Sequence, residues 1–294
     1  MNRGVTKMRK LLKHLLFKFH FLPDRIYLSF MYRIMLGKKL NFKNPSSFSE
    51  KMQVLKLSER NPVYTKMVDK LIAKDIIKNT IGSEYVVETL HTWDTVDEID
   101  FNSLPNRFVL KTNHDSGGVF ICRDKSDFNE EIAKKNLKKH LSNNYYFKFR
   151  EWPYRNVVPK IFAEKYLENN NGSSSLTDYK IYCFNGVPRM ILVCSDRFSE
   201  TGVKFTYFDL DWNLLDIQKK GYSTDPFQVR PVCLDEMLSC IQKFNLDIPF
   251  LRFDFFEINN RLYLGEFTFF PEAGFPNFTS STVDEKLGNL LQLN

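Results

Sequence analysis

Two sets of residues in this 294-residue chain could do chemistry. The first is Phe108-Val109-Leu110-Lys111, followed by Thr112-Asn113-His114-Asp115-Ser116-Gly117-Gly118. An apolar run ending in a lysine, then a turn ending in two glycines, is one way to hold phosphate. The glycines let backbone N–H groups approach an anion, and the lysine adds a point charge. Taken alone, the stretch fits an ordinary β-hairpin turn about as well. It is neither a Walker A loop nor a dinucleotide fingerprint, because G-x-x-x-x-G-K-[ST] and G-x-G-x-x-G are both absent. The second set is Leu251-Arg252-Phe253-Asp254-Phe255 with Leu264-Gly265-Glu266-Phe267-Thr268. Strand alternation puts Arg252 and Asp254 on one face, and Glu266 and Thr268 on one face of theirs. Two carboxylates and a hydroxyl among apolar neighbours form a hard-oxygen set suited to Mg²⁺ with bound phosphates. The plainer alternative is an ion pair of Arg252 with Asp254 or Glu266.

Strand register gives the second set a test. If Asn259-Asn260 closes the hairpin as a two-residue loop, residue 254 faces 265, and Asp254 and Glu266 point to opposite faces. A shared ion therefore requires an odd loop or a bulge, and Gly265 is a plausible bulge position. A third segment, 161–168 (IFAEKYLE), reads as a strand ending before a flexible loop at 169–175. An edge strand there could offer backbone and acids to a purine amine and a ribose hydroxyl, or simply carry solvated charges.

These residues need a scaffold. Alternating apolar strands are expected at 108–111, 119–122, 161–167, 179–184, 189–194, 204–209, 250–258 and 261–269, with a short strand at 85–87. Helices are expected at 128–141, 234–245 and, as one stretch, 62–79, ended by Gly82. Ser47 to Glu50 resembles a capping box for a helix to about Leu57, and Gly37 fits the C-cap of a helix over 27–36. Leu11, Leu12, Leu15, Leu16 and Phe19 share a helical face, with Lys13, His14 and Lys18 elsewhere. Docking of that face on the protein's own core is favoured over contact with an anionic leaflet. No internal repeat is visible.

Composition excludes several classes. Charged residues are 26% and apolar residues 43%, as in ordinary globular proteins, and the 15% aromatic fraction leans on Phe. The formal charge is +7, concentrated in the first twenty residues, where Arg3, Lys7, Arg9, Lys10, Lys13 and Lys18 meet no acid. Nucleic-acid recognition motifs are absent. The five cysteines show no C-x-x-C spacing and read as free thiols in a reducing compartment, mostly core fillers. No stretch approaches the ~20 apolar residues of a membrane span, and the first residues make a poor signal peptide. The expected location is cytoplasmic, with peripheral contact at the inner leaflet left open.

In this order the segments resemble the ATP-grasp superfamily, and more closely the TupA-like ATP-grasp family, named for teichuronopeptide biosynthesis. Many members occur with surface-polysaccharide genes and are loosely labelled glycosyltransferases. The matching segments are NPSSFSEKMQVLKL at 44–57, VDK at 68–70, LPNRFVLKTNHDSGG at 104–118, REWPY at 150–154, FAEKYLE at 162–168, TDYKIYCFNG at 177–186, LRFDFFE at 251–257 and GEFTFFPEAGF at 265–275. The resemblance covers most of the chain from about residue 22 onward. It implies an α+β ATP-grasp fold: a basic helical region over 1–60, a first lobe over 61–168 and a second lobe over 169–294, with the nucleotide between the lobes.

Carried over residue by residue, the resemblance assigns Lys70 and Lys111 to nucleotide phosphates and Ser116, Gly117 and Gly118 to the loop folding over them. It assigns Glu164, Lys165 and Leu167 to the adenine, Glu168 to the ribose, Arg252 to a phosphate, and Asp254 and Glu266 to Mg²⁺. Lys111 and Arg252 are the residues expected to act on the transferring group. Lys180 and Arg197 are weaker candidates for phosphate or carboxylate contacts. The chain departs from the superfamily at Thr268, where an Asn is usual, which puts a second metal in doubt. It also lacks the full α/β domain that usually precedes the grasp lobes. The implied activity is ATP-dependent carboxylate–amine ligation through an acyl phosphate, with an acidic sugar or polymer and an amine acceptor as partners. The rival reading is a glycosyltransferase using the D-x-D of Asp209 and Asp211, although a strand-end turn explains that triplet better. His114 is expected to be a loop residue beside the phosphates. Trp152 and Tyr154 are expected to line the substrate side or to form a packed aromatic loop.

Overall fold

The computed structural model describes residues 3–168, 177–196, 199 and 202–293, without the side chains of residues 3–7, 9 and 10. The loop expected at 169–175, Arg197 and the side chains of Arg3, Lys7, Arg9 and Lys10 therefore lie outside the described residues. In chain order the described elements are α1 (Arg3–Leu16), α2 (Asp24–Leu36), α3 (Phe48–Ser58), α4 (Pro62–Val68), α5 (Lys70–Thr80), β1 (Thr89–Trp93), β2 (Phe108–Thr112), β3 (Val119–Cys122), α6 (Glu130–Leu141), α7 (Tyr145–Phe149), β4 (Ile161–Lys165), β5 (Asp178–Phe184), β6 (Val187–Ser195), β7 (Lys204–Phe208), α8 (Leu234–Phe244), β8 (Phe250–Ile258), β9 (Arg261–Thr268) and α9 (Ser281–Leu290). The strands form two antiparallel sheets, ordered β1-β4-β2-β3 and β7-β6-β5-β8-β9.

Local chemistry sets the helix ends. Ser47 and Glu50 make the expected reciprocal capping box before α3. The Gly37 N–H closes α2 on the Arg33 carbonyl. The single helix expected over 62–79 is instead two. Asp69 takes an extended backbone, and its carboxylate accepts from the N–H groups of Leu71 and Ile72, so α5 starts afresh at Lys70. An aspartate that bonds the backbone ahead of it favours a cap over a helix interior.

Three further expectations need correction. Residues 85–87 do not form a strand: Ser83–Tyr85 is a 3₁₀ turn, and the strand begins at Thr89. Val86 and Val87 are apolar because they fill two different core clusters from a loop. β4 is not an edge strand, because it lies between β1 and β2 and pairs with both. Finally, α1 does not dock its apolar face. Only Leu16 is buried, while Leu11 and Leu15 are 70% and 50% exposed. The reason is α2, which turns Tyr27, Leu28, Met31 and Tyr32 inward and leaves α1 attached through Leu16 and Phe17.

The main core packs the second sheet against α3, α4, α5, α8 and α9, and a smaller one underlies the first sheet with Leu137 of α6. All five cysteines are free and buried. Among the described residues no helix is long and apolar enough to cross a membrane.

Candidate functional site

The 113–118 loop is a hairpin turn and a candidate phosphate loop at once. Lys111 pairs with Val119, and the Thr112 N–H bonds the Gly118 carbonyl at 3.0 Å. A Cβ on Gly118 would lie 2.0 Å from the Thr112 hydroxyl, so only glycine lets the hairpin close this tightly. Below the tip the loop is fastened. The Thr112 hydroxyl donates to Asp115 at 2.5 Å, and the other oxygen of Asp115 meets His140 Nδ1 of α6. The Asp115 carboxyl would rise with burial, but the His140 and Thr112 bonds outweigh that and hold it below its ordinary value. His114 does not sit beside the loop tip: its buried ring places Nε2 3.2 and 3.1 Å from the carbonyls of His140 and Asn143, and burial lowers its pKa. Ser116 and Gly117 remain exposed at the tip.

The break at Asp69 positions Lys70. Asp69 accepts from the Asn113 side chain at 3.0 Å, the Lys70 N–H bonds the Asn113 carbonyl at 3.1 Å, and Lys70 Nζ donates to the Asp115 carbonyl at 2.5 Å. The first turn of α5 is thus clamped to the loop. Burial lowers the Lys70 pKa, while Glu266 and Asp115 are the main charges acting to keep it protonated. Since α5 also touches β9, one lysine links the loop of the first sheet to the acidic hairpin of the second.

Glu164 sits buried in β4 between two lysines. Lys74 Nζ is 2.6 Å from one carboxylate oxygen, and Lys111 Nζ bonds the other. Burial favours its neutral form, but Lys111 and Lys74 overcome that and lower its pKa. Its visible work is therefore as a counter-ion inside the sheet, away from any exposed edge. Lys74 has the full set of three partners, adding the Val87 carbonyl and the Thr89 hydroxyl at 2.9 and 2.7 Å. At the end of β4 Lys165 is exposed; beyond it Leu167 packs with Val87, Ile258 and Tyr263, and Glu168 pairs with Arg107 at 2.6 Å. The Asn259 side chain reaches the Glu168 carbonyl at 3.3 Å, so this segment touches the second sheet's hairpin.

That hairpin has the register the argument from alternation required. Asn259 and Asn260 form a two-residue turn with φ 53° and 60°, and Ile258 pairs with Arg261. Pairing continues to Phe255 with Leu264, then slips: Asp254 faces Glu266, and Gly265 is the extra residue. The bulge puts both carboxylates on one face. Arg252 grips Asp254 with two bonds of 2.5 and 2.6 Å, and Lys180 of β5 bonds it from the neighbouring strand. Burial opposes the Asp254 charge, yet Arg252 and Lys180 hold its carboxyl below the ordinary value. Lys180 is likewise raised against its burial by Asp254. Glu266 makes no ion pair among the described residues. The Thr268 hydroxyl accepts from Arg252 at 3.1 Å, which occupies the oxygen expected to be a third ligand. Among the described residues no group of three or more His, Cys, Asp or Glu side chains could hold a metal ion.

Sequence reasoning missed a buried pair of titratable groups, Lys56 and Glu151. Lys56 of α3 is buried and donates to Gln53 and to the carbonyls of Phe149 and Ala273 at 2.9, 2.9 and 2.6 Å. Burial pushes it down to about 7, opposed only by Glu151. Glu151, also buried, is pushed up to about 8, and its Oε1 has no hydrogen-bond partner. Tyr154 stacks edge-on against Tyr145 at 5.1 Å, and burial followed by the charges of Glu151 and Glu266 keeps its hydroxyl protonated. Trp152 is half-buried. The available signal was the spacing of Gln53 and Lys56, and of Lys70 and Lys74, on single helical faces. Asp209, by contrast, closes its own strand-end turn, accepting from the N–H groups of Asp211 and Asn213 and from the Asn213 side chain at 3.0, 2.7 and 2.9 Å.

The family model for TupA-like ATP-grasp proteins matches residues 50–292. The chain belongs to that family. Its fold is the α+β ATP-grasp fold with a helical region ahead of the two sheets. Similar solved structures include the D-alanine–D-alanine ligase of Bacillus anthracis complexed with ATP, at 16% identity and TM-score 0.39, aligned over 69% of this chain and 54% of that one. The D-alanine–D-alanine ligase of Helicobacter pylori aligns at 15% identity and TM-score 0.42, over 84% of this chain and 70% of that one. An L-amino acid ligase of Bacillus licheniformis aligns at 12% identity and TM-score 0.41, over 74% and 47%. The chain thus spans only about half the length of the first and third of these. No curated protein sequence matches it.

Proposed function

We propose that the chain is an ATP-dependent, ADP-forming carboxylate–amine ligase, with lobes over 61–168 and 169–294 and the nucleotide between them. The observation that carries this reading is the bulged β8–β9 register. It sets Asp254 beside Glu266, whose charge acts on Lys70, the lysine clamped to the loop that follows Lys111. One wall offers lysines and loop N–H groups to phosphates, and the other offers carboxylates.

Lys70, Lys111, Ser116, Gly117 and Gly118 bind the phosphates, with Arg252 and Lys180 across from them. Glu164, Lys165 and Leu167 border the adenine, and Glu168 the ribose. The donor set fits Mg²⁺, since Asp254 and Glu266 are hard oxygens in register and Glu266 makes no ion pair among the described residues; phosphate oxygens and water would complete the shell. Bound there, Mg²⁺ would supply charge neutralisation to the phosphates. Thr268, bonded to Arg252, positions that guanidinium more readily than it ligates.

In the reaction, a substrate carboxylate oxygen bonds the γ-phosphorus as the bond to ADP breaks. Lys111 and Arg252 stabilise the charge on the transferring group, which is mostly a matter of positioning and electrostatics. An amine then attacks the acyl carbon, loses a proton, and phosphate leaves. No protein nucleophile is needed. Trp152 and Tyr154 border the acceptor side in this reading, and the substrate class that suits the family is an acidic sugar or polymer joined to an amino acid or amine. No observation favours the glycosyltransferase alternative, because Asp209 is consumed by its own turn.

The test is thermal stabilisation of wild type and Asp254→Asn by ATP with Mg²⁺, against a panel of UDP-sugars. A native-state ligand at a hundredfold excess over Kd stabilises by about 2.7 kcal/mol. We expect a shift with ATP and Mg²⁺ that Asp254→Asn weakens. A shift with a UDP-sugar alone, indifferent to Asp254→Asn, would overturn the ligase reading.

A further inference from the structure

Among the described residues, the first helix presents a largely exposed apolar face. Met8, Leu11, Leu12 and Leu15 fall at helical spacing on one side of α1 and are 55%, 70%, 41% and 50% exposed. Just beyond the helix, Phe19 and Phe21 are exposed and touch each other, with ring centroids 5.7 Å apart. A soluble monomer gains nothing from such a run. A contiguous apolar patch of this kind marks an interaction surface.

The charge around it identifies the partner. The first 23 residues contain six Lys or Arg and no Asp or Glu, the first acid being Asp24. Among the described side chains, Lys18 and His20 are exposed and Lys13 is half-exposed. A second copy of the chain is disfavoured, because an isologous contact through this face would bring two basic, acid-free surfaces together. An anionic lipid surface satisfies both features. The leucines and phenylalanines enter the acyl boundary, and the flanking cations meet the headgroups. α1 is also built to lie in that plane rather than to cross it, since no described helix is long and apolar enough to span.

We propose that α1 and the Phe19–Phe21 turn dock the protein on an anionic phospholipid leaflet. This contact is independent of the reaction proposed above. Through Leu16 and α2 it is joined to the body of the protein: Leu16 shares a core cluster with Tyr27, Leu28, Met31, Ala273 and Phe275. Residues 273 and 275 directly follow the strand bearing Glu266 and Thr268. Docking would therefore hold the catalytic body close to the lipid surface, where a membrane-bound acidic acceptor could be met.

The experiment is co-sedimentation of the full chain with extruded vesicles of phosphatidylcholine alone and of phosphatidylcholine mixed equally with phosphatidylglycerol. Wild type should pellet with the mixed vesicles, and raising salt should release it. Two double variants test the two features separately: Leu11→Asp with Leu15→Asp for the apolar face, and Lys13→Glu with Lys18→Glu for the charge. Each should lower partitioning about tenfold or more. Their melting temperatures should stay at the wild-type value, since none of the four side chains is buried. Wild type remaining in the supernatant with the mixed vesicles would overturn the proposal. So would equal pelleting of wild type and the Leu11→Asp/Leu15→Asp variant, or a lipid-free dimer that the same variant dissociates, which would assign the face to self-association.

Discussion

Each sheet buries one carboxylate between two cations, and the two arrangements differ in what stands next to them. In the first, Glu164 lies between Lys74 and Lys111, leaving one net positive charge from two cations and one carboxylate. Lys74 is tied down by the Val87 carbonyl and the Thr89 hydroxyl, whereas the Lys111 side chain is 29% exposed with Glu164 as its ion-pair partner. In the second, Asp254 lies between Arg252 and Lys180, but Glu266 faces it across the bulge. Lys180 also meets Asp178 at 3.9 Å, so two cations meet three carboxylates and the net charge is −1. The first triad makes a cationic wall with one partly exposed lysine. The second makes an acidic wall on which Glu266 makes no ion pair among the described residues. One suits phosphate, and the other suits a cation brought in with it.

The largest effect should come from breaking the first triad at its centre. Glu164→Gln leaves two lysines facing each other in a buried site. We expect a loss of about 3–5 kcal/mol in unfolding free energy, the range for removing one partner of a buried pair. Guanidinium titration measures it, and a loss under about 1 kcal/mol would mean that Lys74 and Lys111 do not depend on Glu164. The next comparison separates the two lysines. Lys74→Met should cost about 1–3 kcal/mol of stability, because the Val87 carbonyl loses a buried donor, while ATP consumption by the folded fraction persists. Lys111→Met should cost less stability and lower ATP turnover about 10²–10³-fold, as removal of one preorganised charge contact does. If the two variants lose stability and turnover in the same proportion, the first triad is not divided between a structural lysine and a working one.

Much of this was legible in the sequence because alternation is unforgiving. Asp254 and Glu266 could share a face only if the hairpin carried an extra residue, and Gly265 was the residue able to supply it. The capping box at Ser47 and Glu50 was legible for a similar reason, since both partners lie within one turn. The family resemblance, not spacing alone, marked Lys70 and Lys111. What stayed hidden depended on contacts distant in the chain. Glu164 looked like an acid on a strand edge, and only the position of β4 inside its sheet makes it a counter-ion. Asp69 looked helical until its second oxygen was needed by Asn113. The exposed face of α1 could not be told from a docked one, because amphipathic spacing is the same in both. Lys56 and Glu151 are nearly a hundred residues apart, and the Gln53–Lys56 spacing on one helical face does not by itself announce burial.

That last pair gives the smallest effect per step, because it builds up gradually with pH, and a distinctive one. The Glu151 carboxyl is pushed from 4.5 up to about 8 by burial, with Lys56 opposing. Between those values the folded protein keeps a proton that the unfolded chain has released, so stability falls as pH rises through that window. The slope is at most about 1.4 kcal/mol per pH unit. Lys56 works the other way. Burial pushes it from 10.5 down to about 7, so above about 7 the unfolded chain holds the extra proton and stability rises with pH. Together the two groups place a minimum between about pH 7 and 8. Glu151→Gln should erase the descending limb between pH 5 and 7 and leave the ascending limb, as read by chemical denaturation across pH 5 to 9. Parallel curves for Glu151→Gln and wild type between pH 5 and 7 would show that Glu151 is already ionised in the fold. The neutral Glu151–Lys56 core would then be a true ion pair, and the site beside Tyr145 and Tyr154 would carry one more negative charge than the geometry gives it.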